Sequence, residues 1–212
     1  MNLLKIIKNL WKLPFGYLIG FYASVLNNLE ISGAEVLKNQ KGVLLASNHI
    51  SSYDTVFLPW AIIKYFPFRL IWAPAKKELF SIPLFGWLIS SWGAFPVIRG
   101  RDTKASGKIN KLLETEFVML FPEGTRHKDG VLGEGNRGVG KIIFETRACV
   151  IPVALVNLHR WKFPSLFSKG KIVFGQPVDF SDLIQDKPDK ETYKLITARV
   201  MAEIKKLLDA NS

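Results

Sequence analysis

The apolar positions of this chain fall into two kinds of stretch that alternate along it. Val43–Ser47, Arg69–Ala73, Phe95–Ile98, Phe117–Phe121, Val150–Val156 and Lys171–Gly175 are short runs rich in branched and aromatic side chains, which predicts strands. Between them, Tyr53–Tyr65, Lys104–Glu114, Gly138–Arg147 and Pro188–Leu208 carry the spacing of helices. The alternation predicts an α/β fold with helices flanking a largely parallel central sheet. Val43-Leu44-Leu45-Ala46-Ser47 is apolar on both faces, as strands covered on both sides tend to be. No repeat and no Pro-, Gly- or Ser-rich linker interrupts residues 30–212, which read as one αβ-domain.

Residues 1–29 follow a different pattern. Lys5, Lys8 and Lys12 recur on one helical face, hydrophobic residues fill most positions between them, and no acid occurs before Glu30. Beyond Pro14 an uncharged run extends from Phe15 to Leu29, broken by Gly16 and Gly20. A secretory signal is disfavoured, because Ala23-Ser24-Val25 is a poor cleavage site. A spanning helix over residues 13–29 would rise about 25 Å against about 30 Å of hydrocarbon. Two helices lying in the membrane interface, lysines toward the headgroups, fit better. A plain helix packed on the core is the alternative.

Composition narrows the partners. The 212 residues carry 29 basic and 18 acidic side chains, a net charge of +11, yet 48% are hydrophobic. That excludes a disordered basic tail, and the lone Cys149 excludes a disulfide framework. A basic, apolar surface suits nucleic acid, an anionic membrane or an acidic partner. No nucleic-acid module is present, and the aromatics sit in apolar blocks. Three scattered histidines and one cysteine lack zinc spacing, so no metal is expected. Gly133–Gly138 matches G-x-G-x-x-G and Gly135–Lys141 nearly matches a phosphate loop, but a turn rather than a strand precedes them and Ile142 replaces the required hydroxyl. Nucleotide binding is therefore rejected.

The chemistry gathers at strand ends. His49 follows Val43–Ser47, and Asp54 lies five residues on, in the first turn of the next helix. One reading makes Ser51-x-x-Asp54 a capping box and Asn48-His49 a turn. The other makes Asp54 the carboxylate that orients His49 as a base, at the strand edge where α/β sheets bind ligands. With no Gly-x-Ser-x-Gly elbow and no partner beside Cys149, such a base would act on a hydroxyl of the substrate. Pro122-Glu123-Gly124-Thr125-Arg126 is a strand-end turn closing on arginine, either a plain solvated turn or a phosphate donor set. Arg99-Gly100-Arg101 follows another strand, and Lys76-Lys77-Glu78 opens a helical stretch reaching Trp87.

Taken in order, these segments resemble the lysophosphatidic acid acyltransferase family, whose signature is N-H-x-x-x-x-D. Asn48-His49-Ile50-Ser51-Ser52-Tyr53-Asp54 fits the first motif, and Lys76-Lys77-Glu78-Leu79 through Gly93–Arg99 resembles the second. Phe121–Arg126 is identical to the third, and Val150–Ala154 resembles the fourth. The resemblance implies the family's αβ-domain behind an N-terminal helical membrane anchor. It implies that His49, oriented by Asp54, deprotonates a lysophospholipid hydroxyl as it attacks an acyl thioester, with no acyl-enzyme. It further implies that Glu123, Gly124, Thr125 and Arg126 help bind the glycerol phosphate, with Arg99 contributing to the phosphate and Lys76 or Lys77 reaching the phosphate or the oxyanion. No cofactor is implied; acyl-CoA or acyl-ACP would be the co-substrate. The partners would be an anionic lipid surface, the lysophospholipid acceptor and an acyl thioester donor, acyl-carrier protein being one candidate; the location would be the cytoplasmic face of the cell membrane, as a peripheral or monotopic protein. The chain departs from the family at His127, where serine is common, and at Gly133–Arg137, where a basic stretch is usual. His127 is read as an exposed loop residue or a contact to donor or headgroup. His159-Arg160-Trp161-Lys162-Phe163-Pro164 is read either as a basic-aromatic membrane contact or as a surface loop.

Overall fold

The computed structural model describes residues 12–67, 69–98, 103–185 and 187–212. In chain order the elements are α1 (Lys12–Gly20), β1 (Asn28–Ser32), β2 (Val43–Ser47), α2 (Asp54–Tyr65), β3 (Ile71–Lys76), α3 (Phe85–Ser91) and β4 (Ala94–Val97). There follow α4 (Thr103–Leu112), β5 (Phe117–Leu120), α5 (Arg137–Thr146), β6 (Cys149–Val156), β7 (Lys169–Phe174), α6 (Ser181–Ile184) and α7 (Lys190–Asn211). The seven strands form one sheet in the order β1-β7-β6-β2-β5-β3-β4. Five neighbours, β6, β2, β5, β3 and β4, run parallel. At the other edge β7 is antiparallel to β6 and β1 follows β7, so the sheet is largely parallel, as the alternation predicts.

Apolarity on both faces of β2 has a structural cause. Val43 and Leu45 join one core, under α2, with Phe57, Leu58 and Ile62. Leu44 and Ala46 join the other, under α4, α5 and α7, with Ile109, Ile143 and Ile196. Each large side chain buried in this way contributes about 1.5–3 kcal/mol.

Several expected boundaries shift. Strand β1 was absent from the apolar pattern, because its alternation of exposed Asn28, buried Leu29 and exposed Glu30 is short and merges with the preceding apolar run. The strand expected at Arg69–Ala73 lies at Ile71–Lys76, so Lys76 ends a strand rather than opening a helix. The helical stretch expected to reach Trp87 is broken into a 3₁₀ turn, Lys77–Ser81, and α3, with Leu84 between them at a φ of 63°.

Helix α1 includes Pro14. It continues as a π-helical turn over Phe21–Leu26. Gly16 and Gly20 are buried in it, and a Cβ at Gly20 would lie 2.0 Å from the Trp60 ring on α2. Lys12 corrects the expectation of a lysine face turned to headgroups. Its side chain is only 6% exposed, and burial lowers its ammonium to about 8. Lys5 and Lys8 lie outside the described residues. Among those described, no helix is long and apolar enough to cross a membrane.

The topology locates a site. From β2 the chain crosses one face of the sheet through α2 to β3, whereas from β5 it crosses the other through α5 to β6. Strands β2 and β5 are neighbours, so their onward connections diverge and a crevice opens beyond their carboxyl ends.

Candidate active site

His49 and Asp54 enter that crevice from β2. Asn48 ends the strand but continues its pairing: its amide donates to the Leu155 carbonyl at 2.9 Å and accepts from the Leu155 N–H at 2.8 Å. This buried amide, which sequence reasoning treated as turn filler, sets where the next residue leaves the sheet. The His49 Nδ1 then lies 2.8 Å from Asp54 Oδ2. The same oxygen accepts the backbone N–H groups of Ile50 and Ser51, each at 2.7 Å. Three donors thus converge on one oxygen of a carboxylate that is fully buried.

The capping and orienting readings prove compatible. Asp54 bonds back to Ser51 N–H as a capping box requires. The reciprocal bond is absent, since the Ser51 hydroxyl accepts instead from Tyr53 N–H at 3.3 Å. Because Asp54 accepts at Nδ1, the proton sits there and the Nε2 lone pair faces outward, with no hydrogen-bond partner among the described residues.

The turn after β5 closes the crevice from the other side. The Phe121 ring stacks on His49 with centroids 4.0 Å apart and planes 13° from parallel. Glu123 is buried, with Oε1 accepting His49 N–H at 2.7 Å and Oε2 accepting Gly133 N–H at 2.8 Å. Each oxygen thus accepts a backbone donor, so Glu123 holds His49 and Gly133 in place. Gly124 takes a φ of +69°, a conformation that favours glycine, and turns the chain so that Thr125 and Arg126 are exposed. The Arg126 guanidinium has no ion pair among the described residues.

His127 is a half-exposed loop residue that also has structural contacts. Its N–H donates to the His49 carbonyl at 2.8 Å, and its Nε2 lies 3.5 Å from Glu123 Oε2. It is part of the support beneath His49. Gly133 completes that support, since a Cβ there would lie 2.3 Å from His127 Nε2. The G-x-G-x-x-G glycines thus serve packing: Gly135 is closed in by Thr197 and Met201, and Asn136 caps α5 through Gly138 N–H. Gly133→Ala should cost about 1 kcal/mol, at the low end for overpacking because the imidazole can swing aside. In combination with His127→Ser most of that cost should vanish. Chemical denaturation of the two single variants and the double variant measures the coupling, and simple additivity would contradict the contact.

Lys76 and Lys77 are exposed at the carboxyl end of β3, on the same sheet edge as His49 and Glu123. Arg99 and Arg101 lie outside the described residues. An apolar cavity of about 380 Å³ is lined in part by Phe121, the ring that stacks on the imidazole. Phe121 and Met119 form one wall, Thr55, Val56 and Pro59 of α2 a second, and Phe85, Leu88 and Ile89 of α3 a third, while Phe15 and Ile19 of α1 lie across it. A second cavity of about 400 Å³ lies behind Ile50, between the Leu158–Arg160 turn and the end of α7; none of the expected substrate residues lines it. Burial pushes the Cys149 thiol up, away from the thiolate a nucleophile requires.

The profile of the family described as Acyltransferase matches residues 28–156, from β1 through β6. The 1-acyl-sn-glycerol-3-phosphate acyltransferase of Bacillus subtilis is 31% identical over 188 residues, covering 87% of this chain and 90% of that protein. That of Streptococcus pneumoniae is 29% identical over 191 residues, covering 87% and 67%. In fold, the crystal structure of the 1-acyl-sn-glycerophosphate acyltransferase from Thermotoga maritima superposes with a TM-score of 0.63 at 21% identity, covering 92% of this chain and 77% of that one. The chain belongs to the acyltransferase family, among the lysophosphatidic acid acyltransferases.

Proposed function

We propose that the protein transfers a fatty acyl group from an acyl thioester to the free hydroxyl of 1-acylglycerol-3-phosphate, forming phosphatidic acid. One observation carries this reading: the imidazole tied to Asp54 shares Phe121 with an apolar cavity able to take an acyl chain. The His49 Nε2 takes the hydroxyl proton as that oxygen attacks the thioester carbonyl. The new C–O bond forms, the C–S bond breaks, and the departing thiolate recovers the proton from the imidazolium. No protein nucleophile and no cofactor enters. Gly124, Thr125 and Arg126 face the acceptor phosphate, and Lys76 or Lys77 at the end of β3 reaches it or the oxyanion; Glu123 serves the same headgroup while holding His49 in place, and Arg99 is assigned to the phosphate by the family resemblance alone.

The donor is acyl-CoA or acyl-ACP, and a net charge of +11 favours either anionic carrier. The acceptor is met at an anionic lipid surface, on the cytoplasmic face of the cell membrane, by a peripheral or monotopic protein. Supporting this, Leu18, Phe21 and Val25 point outward from α1 and its π-helical turn.

The test is purified protein offered lysophosphatidic acid, glycerol 3-phosphate and lyso-aminolipids with each thioester donor, products being read by mass spectrometry. Phosphatidic acid should dominate; acylation of another acceptor alone would replace the assignment. Arg126→Ala should raise the apparent KM for lysophosphatidic acid by roughly tenfold or more, the loss of one charge-assisted contact. An unchanged KM would remove Arg126 from the phosphate site.

A further inference from the structure

The loop between Trp161 and Lys169 has features that packing does not explain. Phe163 and Phe167 are each 81% exposed and Leu166 is 58% exposed. Phe167 also holds a φ of +59°, a region unfavourable to a bulky side chain. Trp161 behaves differently: it is buried against Tyr53 and Phe57, and its Nε1 donates to the Lys169 carbonyl at 3.0 Å. The indole therefore anchors the loop inward, and the phenylalanines are left at its tip.

This tip is bolted to the end of the N-terminal helical body. The buried Asn27 amide donates to the Ser165 carbonyl at 2.8 Å and accepts Ser168 N–H at 3.0 Å. The Tyr22 hydroxyl accepts Ser165 N–H at 3.0 Å, and the Leu26 carbonyl accepts Phe167 N–H at 2.8 Å. These bonds, and a Phe163 ring 6.1 Å from that of Tyr22, hold the exposed loop to the same helical segment that carries the exposed Leu18, Phe21 and Val25. Residues 13–29 of that segment hold no charge. Arg160, Lys162 and Lys169 are exposed beside the tip, and no acid occurs between Asn157 and Val178.

We propose that the Phe163–Phe167 loop is a second membrane-inserting element, which seats its phenylalanines and Leu166 among the acyl chains of an anionic bilayer while Arg160, Lys162 and Lys169 meet the lipid phosphates. Apolar tips ringed by cations match an interface in which hydrocarbon lies beneath negative headgroups. A second copy of the chain fits less well, since a two-fold contact would set this cationic rim against itself. The inference rests on the membrane-surface reading above and adds the element that sequence reasoning left undecided.

The test uses the full chain and vesicles of phosphatidylcholine with or without phosphatidylglycerol, read by co-sedimentation. Phe163→Ser combined with Phe167→Asn should lower partition onto the mixed vesicles by about tenfold or more. Asparagine tolerates positive φ, so the thermal midpoint should hold or rise, which separates lost binding from lost folding. Turnover on detergent-dispersed substrate should stay at the parent value. Lys162→Glu with Lys169→Glu should weaken binding to mixed vesicles and leave binding to pure phosphatidylcholine unchanged. If the parent binds and the aromatic variant binds equally, the loop is not an inserting element. A parent that binds neither vesicle overturns the membrane reading together with this one. A lipid-free parent that dimerises, while the aromatic variant stays monomeric and keeps vesicle binding, makes the loop a protein interface and overturns the proposal.

Discussion

His49→Ala should lower turnover by about 10²–10⁴-fold, the range for loss of a positioned general base, while the protein stays folded. The fold should survive because the loop does not depend on the imidazole. Asp54 still accepts the Ile50 and Ser51 N–H groups, and Glu123 still holds the backbone of residue 49. The missing ring leaves Phe121 without its stacking partner and opens a small gap at a partly solvated surface. Circular dichroism and the thermal midpoint should therefore remain near the parent values while kcat collapses. Activity within a few-fold of the parent would show that the proton leaves by another route.

Asp54→Asn should have an effect of the same order on kcat, about 10²–10⁴-fold, together with a stability loss that His49→Ala lacks. An amide oxygen can still accept from Ile50 and Ser51. Its NH₂ group, however, would occupy the place of Oδ1, which is buried without a hydrogen-bond partner. An orphaned buried donor costs about 1–3 kcal/mol. If the amide flips to avoid this, it donates toward Nδ1 and moves the imidazole proton to Nε2, where it blocks uptake of the hydroxyl proton. The flipped amide removes the base, and the unflipped one leaves the imidazolium without its buried counter-charge, so denaturant titration and steady-state kinetics should move together. A variant that loses stability and keeps its turnover would reduce Asp54 to a loop-capping residue.

Some of this architecture was legible before any fold was known. The β2 and β6 runs are apolar on both faces, which only a strand covered on both sides requires, and they lie within one residue of their expected bounds. The His49–Asp54 pairing was legible as well, because both residues belong to one strand-to-helix turn, where local geometry decides the contact. Parts that depend on distant segments were less visible. Glu123 lies 74 residues from His49, and only the family resemblance gave it a role, at the glycerol phosphate; its acceptance of the His49 N–H depends on a fold that brings two distant turns together. His127 and Gly133 looked like departures from a family pattern, yet each accommodates the other. Lys12 looked like part of an exposed face, but helix periodicity states only which residues share a side, not which side the core covers.

By itself, the sequence determined the α/β class, the acyltransferase motifs and the excess of both charge and apolar surface. Those features depend on residue type and short spacing, which act within a few residues. Tertiary structure alone decided how the surface is divided. It turned Lys12 inward, enclosed an apolar cavity against Phe121 from α1, α2, β3 and α3, and tied the Phe163–Phe167 loop to the end of the N-terminal helix. The physical reason is that burial is settled by contacts between segments far apart in the chain, and no local pattern encodes which of several apolar faces will find a partner.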